Sequence, residues 1–383
     1  MKTILFDATP FTPEHLTGAG RLVQEMIRHL ASWDREYRYL LFGFAPRIWE
    51  PETLPGNFRY ETIKPWRFLG PLALEAARRQ HIGALVSTRH IDLVHCTLEM
   101  TPVYEENTPV LFSLYDLARL SPHFLYSTPQ NLRSLLRTRL RYRSAKRADF
   151  IHTISHYSAE RIAELLRFDP RRIRVIYPGA NPLFCPGDPD PATLARHGLT
   201  AGAYFLFVGQ FGRQKNEDGL IKAFYEARRA DALPADYQLA LVGDVTALRE
   251  STRHLLHGEK EGDRVKLLPG IGDADLLHLY RGATALVLPS FYEGFGLPVL
   301  EAMSCGVLPI VSNATSLPEV VGAAGLIVTA GRHEQLTEAL IRAATDAAWR
   351  QRRREAILAQ AARFTYAAMA KEMRALYDEM THD

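Results

Sequence analysis

The fold is constrained most by short apolar runs, rich in Val, Ile, Leu and Phe, that alternate with helical patterns along the chain. Nearly continuous apolar strands separated by helices are typical of parallel sheets that helices cover on both faces. The sequence therefore predicts an α/β protein built from doubly wound, Rossmann-like sheets. The predicted strands cover residues 3–6, 39–44, 93–96, 110–114, 150–154 and 174–177 in the first half, and 204–208, 238–242, 265–268, 285–288, 308–311 and 326–328 in the second.

A proline-rich segment interrupts this alternation near the middle of the chain. Residues 181–191 contain four prolines and can form neither a helix nor a central strand. We therefore predict two similar domains that face a central cleft. The predicted boundaries are 1–180 for the first domain, 181–200 for a linker, 201–364 for the second domain, and 365–383 for a helix that is a candidate for crossing back to the first.

Composition and charge exclude several classes of protein. The formal net charge of +3 over 383 residues creates no general attraction for nucleic acid. Cys96, Cys185 and Cys305 are odd in number and far apart, so we expect no disulfide framework and a reducing, cytoplasmic location. No run approaches the ~20 apolar residues that span a bilayer, and the apolar start at residues 1–7 is too short for a signal peptide.

The run from Glu293 to Glu301 carries the most chemical information. It places two carboxylates eight positions apart around a glycine turn, directly after the predicted strand 285–288. The segment after the turn is a predicted helix with Pro298 in its first turn, where a missing N–H is harmless. Free N–H groups and the helix dipole favour an anion at such a helix start, which here comprises Gly294, Phe295, Gly296 and Leu297.

Two acids beside an anion site make sense if they bind hydroxyl groups, so the predicted ligand has a pyrophosphate and two sugars. Glu301, on the helix, is placed to accept both hydroxyls of a ribose, and Glu293, before the turn, faces a second sugar. A second loop, 209–216, has glycines that permit close backbone approach, and its Arg213 and Lys215 supply positive charge. Because ligands bind beyond the carboxyl ends of strands in open α/β sheets, we expect both loops at one site.

These motifs resemble those of family 4 of the retaining nucleotide-sugar glycosyltransferases, whose members have the two-domain GT-B fold. The Phe-Tyr-Glu-Gly-Phe-Gly-Leu-Pro wording is similar to that of bacterial mannosyltransferases of surface polysaccharide synthesis. The resemblance implies that Glu293 contacts the donor sugar and its transition state, and that Glu301 holds the nucleotide ribose. It also implies that the C-terminal domain binds the nucleotide, with diphosphate contacts from the loop 209–216 through Gly209, Gln210, Arg213 and Lys215. It implies that the N-terminal domain binds the acceptor and has a cleft-facing glycine loop that contains Gly18 and Gly20.

Two positions depart from the family pattern. Many members carry an Arg five residues before the diphosphate-binding Lys, where this chain has Gln210; Arg213 either reaches the same phosphates or is solvated. Many members also have a His-Asp pair after a first-domain strand, where this chain has Tyr115 and Asp116. Asp116 is therefore the matched catalytic candidate. Tyr115 can donate a hydrogen bond to a sugar hydroxyl but cannot act as an imidazole acid or base at neutral pH.

Two further segments allow a functional and a purely structural interpretation. Asp273 and Asp275 form an Asp-x-Asp string that suits a divalent metal, but a helical pattern follows, which favours an N-cap and an acidic first turn. We expect no metal and no cofactor. The basic stretch from Arg133 to Arg147 is either a helix with solvated arginines or a peripheral contact with anionic lipid at the inner face of the membrane. Beyond Tyr142, it has no interleaved aromatics for stacking on nucleic acid.

The predicted function is the transfer of a hexosyl group, with retention, from a nucleotide sugar to a glycan or lipid-linked glycan of the cell surface. The favoured donor is GDP-mannose, and UDP-glucose or another UDP-sugar is the alternative. A sugar-nucleotide epimerase of the same fold and a non-catalytic partner subunit remain open. A dinucleotide-dependent oxidoreductase is disfavoured because the segment from Gly18 to Gly20 lacks the third glycine of that fingerprint.

Overall fold

The computed structural model describes residues 1–8, 18–44, 53–63, 71–97, 107–120, 142–257 and 262–382. The chain divides into two compact units. The first comprises Met1–Leu117, Gln130–Gly179 and Thr365–Asp383, and the second comprises Ala118–Pro129 and Ala180–Phe364. Within the described ranges, no helix is long and apolar enough to cross a bilayer.

The first unit is built on a parallel sheet that has seven strands in the described part of the chain. The order of strands reverses at β1, which pairs in parallel with both β2 and β4. This is the doubly wound arrangement that the sequence predicts. The spatial order is β3-β2-β1-β4-β5-β6-β7, with β1 at Lys2–Asp7, β2 at Tyr37–Phe44, β3 at Phe58–Ile63, β4 at Leu93–Thr97, β5 at Val110–Ser113, β6 at Phe150–Thr153 and β7 at Ile173–Val175.

Strand β3 was not predicted, because its residues do not form a continuous apolar run. Phe58 is buried and the next residue, Arg59, is exposed, as expected for a strand at the edge of a sheet. The Phe58 ring stacks on Tyr39 of β2, with 4.3 Å between the ring centroids. A cross-strand contact of this kind stabilises an edge strand that local hydrophobicity does not reveal.

The second unit contains another parallel sheet, with six strands among the described residues. Its order reverses at β8, which pairs with β9 on one side and β11 on the other. All of its strands were predicted. The spatial order is β10-β9-β8-β11-β12-β13, with β8 at Tyr204–Val208, β9 at Gln238–Val242, β10 at Val265–Leu268, β11 at Ala285–Leu288, β12 at Leu308–Ser312 and β13 at Leu326–Val328.

Amphipathic helices pack on these sheets. The apolar face of α1 (Gly18–Trp33) is buried, from Leu22 to Leu30. The described α-helices are α1 (Gly18–Trp33), α2 (Pro71–Thr88), α3 (His156–Leu166), α4 (Pro191–Arg196), α5 (Glu217–Arg229), α6 (Glu250–His257), α7 (Asp273–Gly282), α8 (Leu297–Ser304), α9 (Leu317–Val321), α10 (His333–Thr345), α11 (Ala347–Ala361) and α12 (Tyr366–Thr381).

The last helix, α12, follows the second unit in sequence but belongs to the first. Tyr377 lies in the core of that unit, where its hydroxyl shares a hydrogen bond of 2.7 Å with Nδ1 of His95. Arg374 Nε donates to Asp34 Oδ2 over 3.0 Å, and both side chains are almost fully buried. Apolar burial and a paired charge therefore hold this helix in the unit that contains the N-terminus of the chain.

The segment predicted as a linker contains a short helix, α4. Asp190 caps it, because its carboxylate accepts from the backbone N–H of Thr193 over 3.0 Å. Pro191 occupies the first turn, where its missing N–H costs nothing. The same prolines that exclude a long helix therefore begin a short one, and the longer segment of the second unit already begins at Ala180.

Candidate functional site

Two loops of the second unit follow the neighbouring strands β8 and β11, at the point where the strand order reverses. The first contains Gly209 to Asn216 and the second runs from Pro289 to Gly296. The carbonyl oxygen of Gln214 accepts the backbone N–H groups of Phe291, over 2.7 Å, and of Tyr292, over 3.3 Å. In open α/β sheets this is the place where ligands bind, and these bonds join the two loops into one surface.

A nearly buried ion pair lies between the loops. Lys215 Nζ is 2.7 Å from Oε1 and 2.8 Å from Oε2 of Glu293. The two side chains are 16% and 8% exposed, and Ser290 Oγ donates to Glu293 Oε1 over 2.7 Å. The sequence predicts both charged residues but assigns them to different parts of a ligand. The structure brings them into direct contact, so each charge neutralises the other.

The main chain of Glu293 is also held on both sides. Its N–H donates to Thr315 Oγ1 over 3.0 Å, and its carbonyl accepts from Ser316 Oγ over 3.1 Å. Both hydroxyl residues follow β12, the strand next to β11. Sequence reasoning assigned them no role, although a run of hydroxyl residues after the adjacent strand was a signal that pointed to this loop.

The glycine turn before α8 needs a glycine for two reasons. Gly296 is the N-cap residue, with φ of 98° in the left-handed region, and a Cβ there lies 2.8 Å from Leu317 Cδ2. Helix α8 then begins at Leu297, with Pro298 in its first turn as the sequence predicts. Gly294 is half-buried in the same turn. The turn therefore presents main chain, with little side-chain bulk, at the start of the helix.

Phe295 has a packing role within this turn. It is 3% exposed and meets Phe364 edge to face, with 5.6 Å between the ring centroids. Its backbone remains part of the predicted anion site, whereas its side chain belongs to the core of the second unit.

Glu301, the predicted ribose clamp, lies on α8 beside a buried tyrosine. Tyr280 of α7 donates from Oη to Glu301 Oε2 over 2.8 Å. Burial, followed by the charge of Glu301, holds the pKa of Tyr280 well above its usual value, so the phenol stays protonated and keeps donating. Sequence analysis did not identify Tyr280, because its position fits the apolar face of α7.

The other predicted residues in the loop after β8 are Gly209, Gln210 and Arg213. A Cβ on Gly209 would lie 3.7 Å from Lys215 Cε, an ordinary van der Waals distance, so the space beside the lysine does not itself require a glycine. Gln210 and Arg213 are both exposed. Arg213 opens the short 3₁₀ turn that ends at Lys215. Its reach to a phosphate stays a prediction.

Four residues that the sequence analysis considers for the site belong to the first unit. Gly18 and Gly20 lie in the first turn of α1, and not in a glycine loop as the sequence suggested. Asp116 is half-buried just after β5. Tyr115 is 3% exposed, and its ring meets His152 edge to face at 5.8 Å. The Tyr115 side chain is therefore part of the core of this unit, and its burial disfavours a hydrogen bond from its hydroxyl to a sugar.

The two acids of the Asp-x-Asp string have structural partners. Both lie in the first turn of α7, although the N-cap is Gly272 and not Asp273 as the pattern suggested. Asp275 binds His197 Nε2 at 2.9 Å and Arg196 Nη2 at 3.0 Å. The hydrogen bond from His197 is the main cause that lowers the pKa of Asp275.

The structure tests neither the absence of a metal ion nor the contact of the basic stretch with anionic lipid. In the ranges that the structure describes, no group of three or more His, Cys, Asp and Glu side chains is arranged to hold a metal. Most of the basic stretch from Arg133 to Arg147 lies outside the described residues, which resume at Tyr142. A contact between this stretch and anionic lipid stays a prediction.

Comparison with known families matches both halves of the chain. Residues 16–182 match the family model described as Glycosyltransferase Family 4, and residues 195–362 match the model described as Glycosyl transferases group 1. Together, the two models account for most of the sequence.

Individual relatives agree with these models. The chain is 33% identical over 232 residues to O-antigen chain mannosyltransferase B of Escherichia coli, covering 59% of each protein. It is 27% identical over 328 residues to a D-inositol 3-phosphate glycosyltransferase of Thermobifida fusca, covering 80% of this chain and 72% of that one. The match thus spans about three fifths of the E. coli protein's length.

A solved structure supports the fold. Anabaena Alr3699/HepE, crystallised with UDP and glucose, superposes with a TM-score of 0.73 at 19% identity, covering 99% of this chain and 100% of that chain. At this identity the likeness establishes the architecture, which is GT-B.

Proposed function

We propose that the chain transfers a hexosyl group from a nucleotide sugar to an acceptor, because it belongs to glycosyltransferase family 4 and has the GT-B fold. The observation that carries this proposal is the Lys215–Glu293 ion pair, joined across two loops at the strand-order reversal. A cation, a carboxylate and a glycine turn at a helix start match the charges of a nucleoside diphosphate attached to a sugar.

The proposed mechanism assigns each charge to one task. Lys215, helped by Arg213 and by the main chain from Gly294 to Leu297, stabilises the leaving nucleoside diphosphate as negative charge develops on it. Glu293, freed from Lys215, orients the donor sugar and supports its positive character as the glycosidic bond breaks. Its hydrogen bond from Ser290 keeps the carboxylate in place during this exchange.

Two further assignments complete the site. Glu301 holds the nucleotide ribose, with one oxygen already fixed by Tyr280. Within the first unit, Asp116 is the proposed catalytic residue, and Gly18 and Gly20 are the proposed binding residues. We propose retention at the anomeric carbon by same-face attack, with the leaving phosphate taking the proton of the acceptor hydroxyl, and no metal ion or other cofactor.

GDP-mannose is the proposed donor, and the acceptor is a glycan or lipid-linked glycan of cell-surface polysaccharide synthesis. Support comes from the resemblance to O-antigen chain mannosyltransferase B at 33% identity. UDP-glucose is the second candidate, favoured by the UDP and glucose bound in the Anabaena structure. We propose a cytoplasmic site of action, with peripheral contact to anionic membrane through the stretch from Arg133 to Arg147.

A panel of GDP-, UDP-, ADP- and TDP-sugars tests this proposal. The expected result is thermal stabilisation and slow donor hydrolysis with one base, strongest for GDP-mannose, because a ligand that binds the native state raises its unfolding temperature. The same assay with a chelator is expected to show unchanged turnover. Stabilisation by no member of the panel would contradict transferase activity, and binding without turnover would favour the non-catalytic partner subunit.

A further inference from the structure

The segment after β12 contains an unusual backbone conformation. Thr315 has φ of 56°, in the left-handed region that favours glycine. A β-branched side chain is especially unfavourable there, because its two Cβ substituents crowd the main chain. Of the described non-glycine residues with positive φ, the others are Asn107, Arg167, Asn216 and Asp231, which are not β-branched.

This conformation coincides with a contact to the reacting part of the proposed site. Thr315 Oγ1 accepts the backbone N–H of Glu293 over 3.0 Å. The next residue, Ser316, is fully buried and donates to the backbone carbonyl of Glu293 over 3.1 Å. Both peptide groups that flank the Glu293 side chain are therefore held by consecutive hydroxyls of one loop, while Lys215 and Ser290 hold its carboxylate.

The hydrogen bond to the Glu293 N–H gives a reason for the backbone strain at Thr315. Backbone strain persists where the surrounding structure imposes it, and it is concentrated at functional sites. A glycine at position 315 adopts this φ without strain but has no oxygen to accept the Glu293 N–H. A serine keeps the oxygen and loses only the methyl group. The requirement for an acceptor at this point therefore accounts for a threonine in place of a glycine.

We propose that Thr315, with Ser316, is a positioning residue that fixes the main chain of Glu293, so that its carboxylate can leave Lys215 for the donor sugar without the loop shifting. This inference rests on the proposed function, because it concerns the same site. Neither hydroxyl needs to touch the substrate: both act through Glu293. The consequence is a separation of activity from stability at position 315.

The test compares Thr315→Gly, Thr315→Ser and a matched control, Asp231→Gly. Asp231 also has positive φ, at 51°, and is exposed after α5, away from Glu293. Thr315→Gly is expected to lower kcat about 10- to 100-fold with KM for the donor nearly unchanged, because misplacement of a reacting group costs turnover. Its thermal midpoint is expected to change by less than about 3 °C, since relief of strain offsets the lost bond.

The two other variants make this result specific. Thr315→Ser is expected to retain kcat within about threefold, and Asp231→Gly to leave kcat unchanged. A Thr315→Gly protein with full kcat would overturn the proposal, as would a large fall in thermal midpoint that accounts for the lost activity.

A measurement that needs no turnover separates this inference from the proposed function. Amide hydrogen exchange at Glu293 is expected to be slow in the original chain and in Thr315→Ser, and faster in Thr315→Gly, because the hydroxyl acceptor is lost. Inactivity towards all nucleotide sugars with this exchange pattern intact contradicts the function alone. Equal exchange rates in all variants contradict the positioning role, whatever the activity.

Discussion

Two pairs of acidic residues lie in the segments that follow β10 and β11 of the second unit, and they differ in what surrounds them. Glu293 follows β11, which is next to the reversal of strand order, and contacts a lysine from the neighbouring loop. Asp275 follows β10, at the edge of the sheet, and binds Arg196 and His197. The comparison teaches that the position of an acid along the sheet, and not the spacing of the acids in sequence, separates a candidate site from a structural contact.

The largest expected effect comes from neutralising Glu293, with the equivalent change at Asp275 as the control. Glu293→Gln preserves size and the bond from Ser290, and is expected to lower kcat about 100- to 1,000-fold, because support of the charged transition state is lost. Asp275→Asn is the matched control and is expected to retain full turnover. Donor binding by calorimetry is expected to stay within about threefold for both. Equal loss of activity in the two variants would break the distinction.

A smaller effect is expected on stability when the cation is removed. Lys215→Ala leaves the Glu293 carboxylate, 8% exposed, without its ammonium partner. We expect a loss of about 1–3 kcal/mol in the free energy of unfolding, measured by urea denaturation, because an unpaired buried charge is costly. The double variant Lys215→Ala/Glu293→Gln is expected to recover part of this loss, since a neutral amide needs no cation. Additive losses would show that the ion pair is not formed in solution.

The smallest expected effect concerns pH and the structural acid. The pKa of Asp275 is lowered in the folded state, chiefly by the hydrogen bond from His197 and then by Arg196. A carboxyl group whose folded pKa lies below its unfolded value of 3.8 contributes stability above that value, and this contribution is lost as the pH falls through the folded pKa. Urea midpoints measured on both sides of the unfolded value are therefore expected to fall less in Asp275→Asn than in the original chain. An equal fall of the urea midpoint with pH in the two proteins would contradict the ion pair of Asp275.

Much of the fold was predictable because it depends on local pattern. The apolar runs at residues 204–208 and 285–288 became β8 and β11, and the glycine turn before Pro298 became the start of α8. The strands follow from the burial of apolar runs, and the helix start follows from the main-chain geometry that glycine and proline allow. Strand β3 was missed because an edge strand need not be apolar, and α4 was missed because its capping Asp190 lies within a run of prolines.

The candidate site was predictable in its charges but not in its contacts. Glu293 and Lys215 were identified, yet their direct pairing was not, since the two residues are far apart in sequence. The residues Tyr280, Thr315 and Ser316 were missed because hydroxyl groups are common in turns and tyrosine is common in cores. Gly18 and Gly20 were expected in a loop, whereas α1 already includes both.

By itself, the sequence determined the α/β class, the order of the strands along the chain, the family motifs and the chemical types available after β8 and β11. Tertiary structure alone decided which acid meets the lysine, which acid meets the tyrosine and which acid is neutralised by Arg196 and His197. The physical reason is that the two kinds of feature depend on different distances along the chain. Periodic hydrophobicity is a local property, whereas an ion pair or hydrogen bond depends on placing atoms within about 3 Å across separate loops. That placement makes the Lys215–Glu293 pair, and the strained Thr315 beside it, visible as parts of one site.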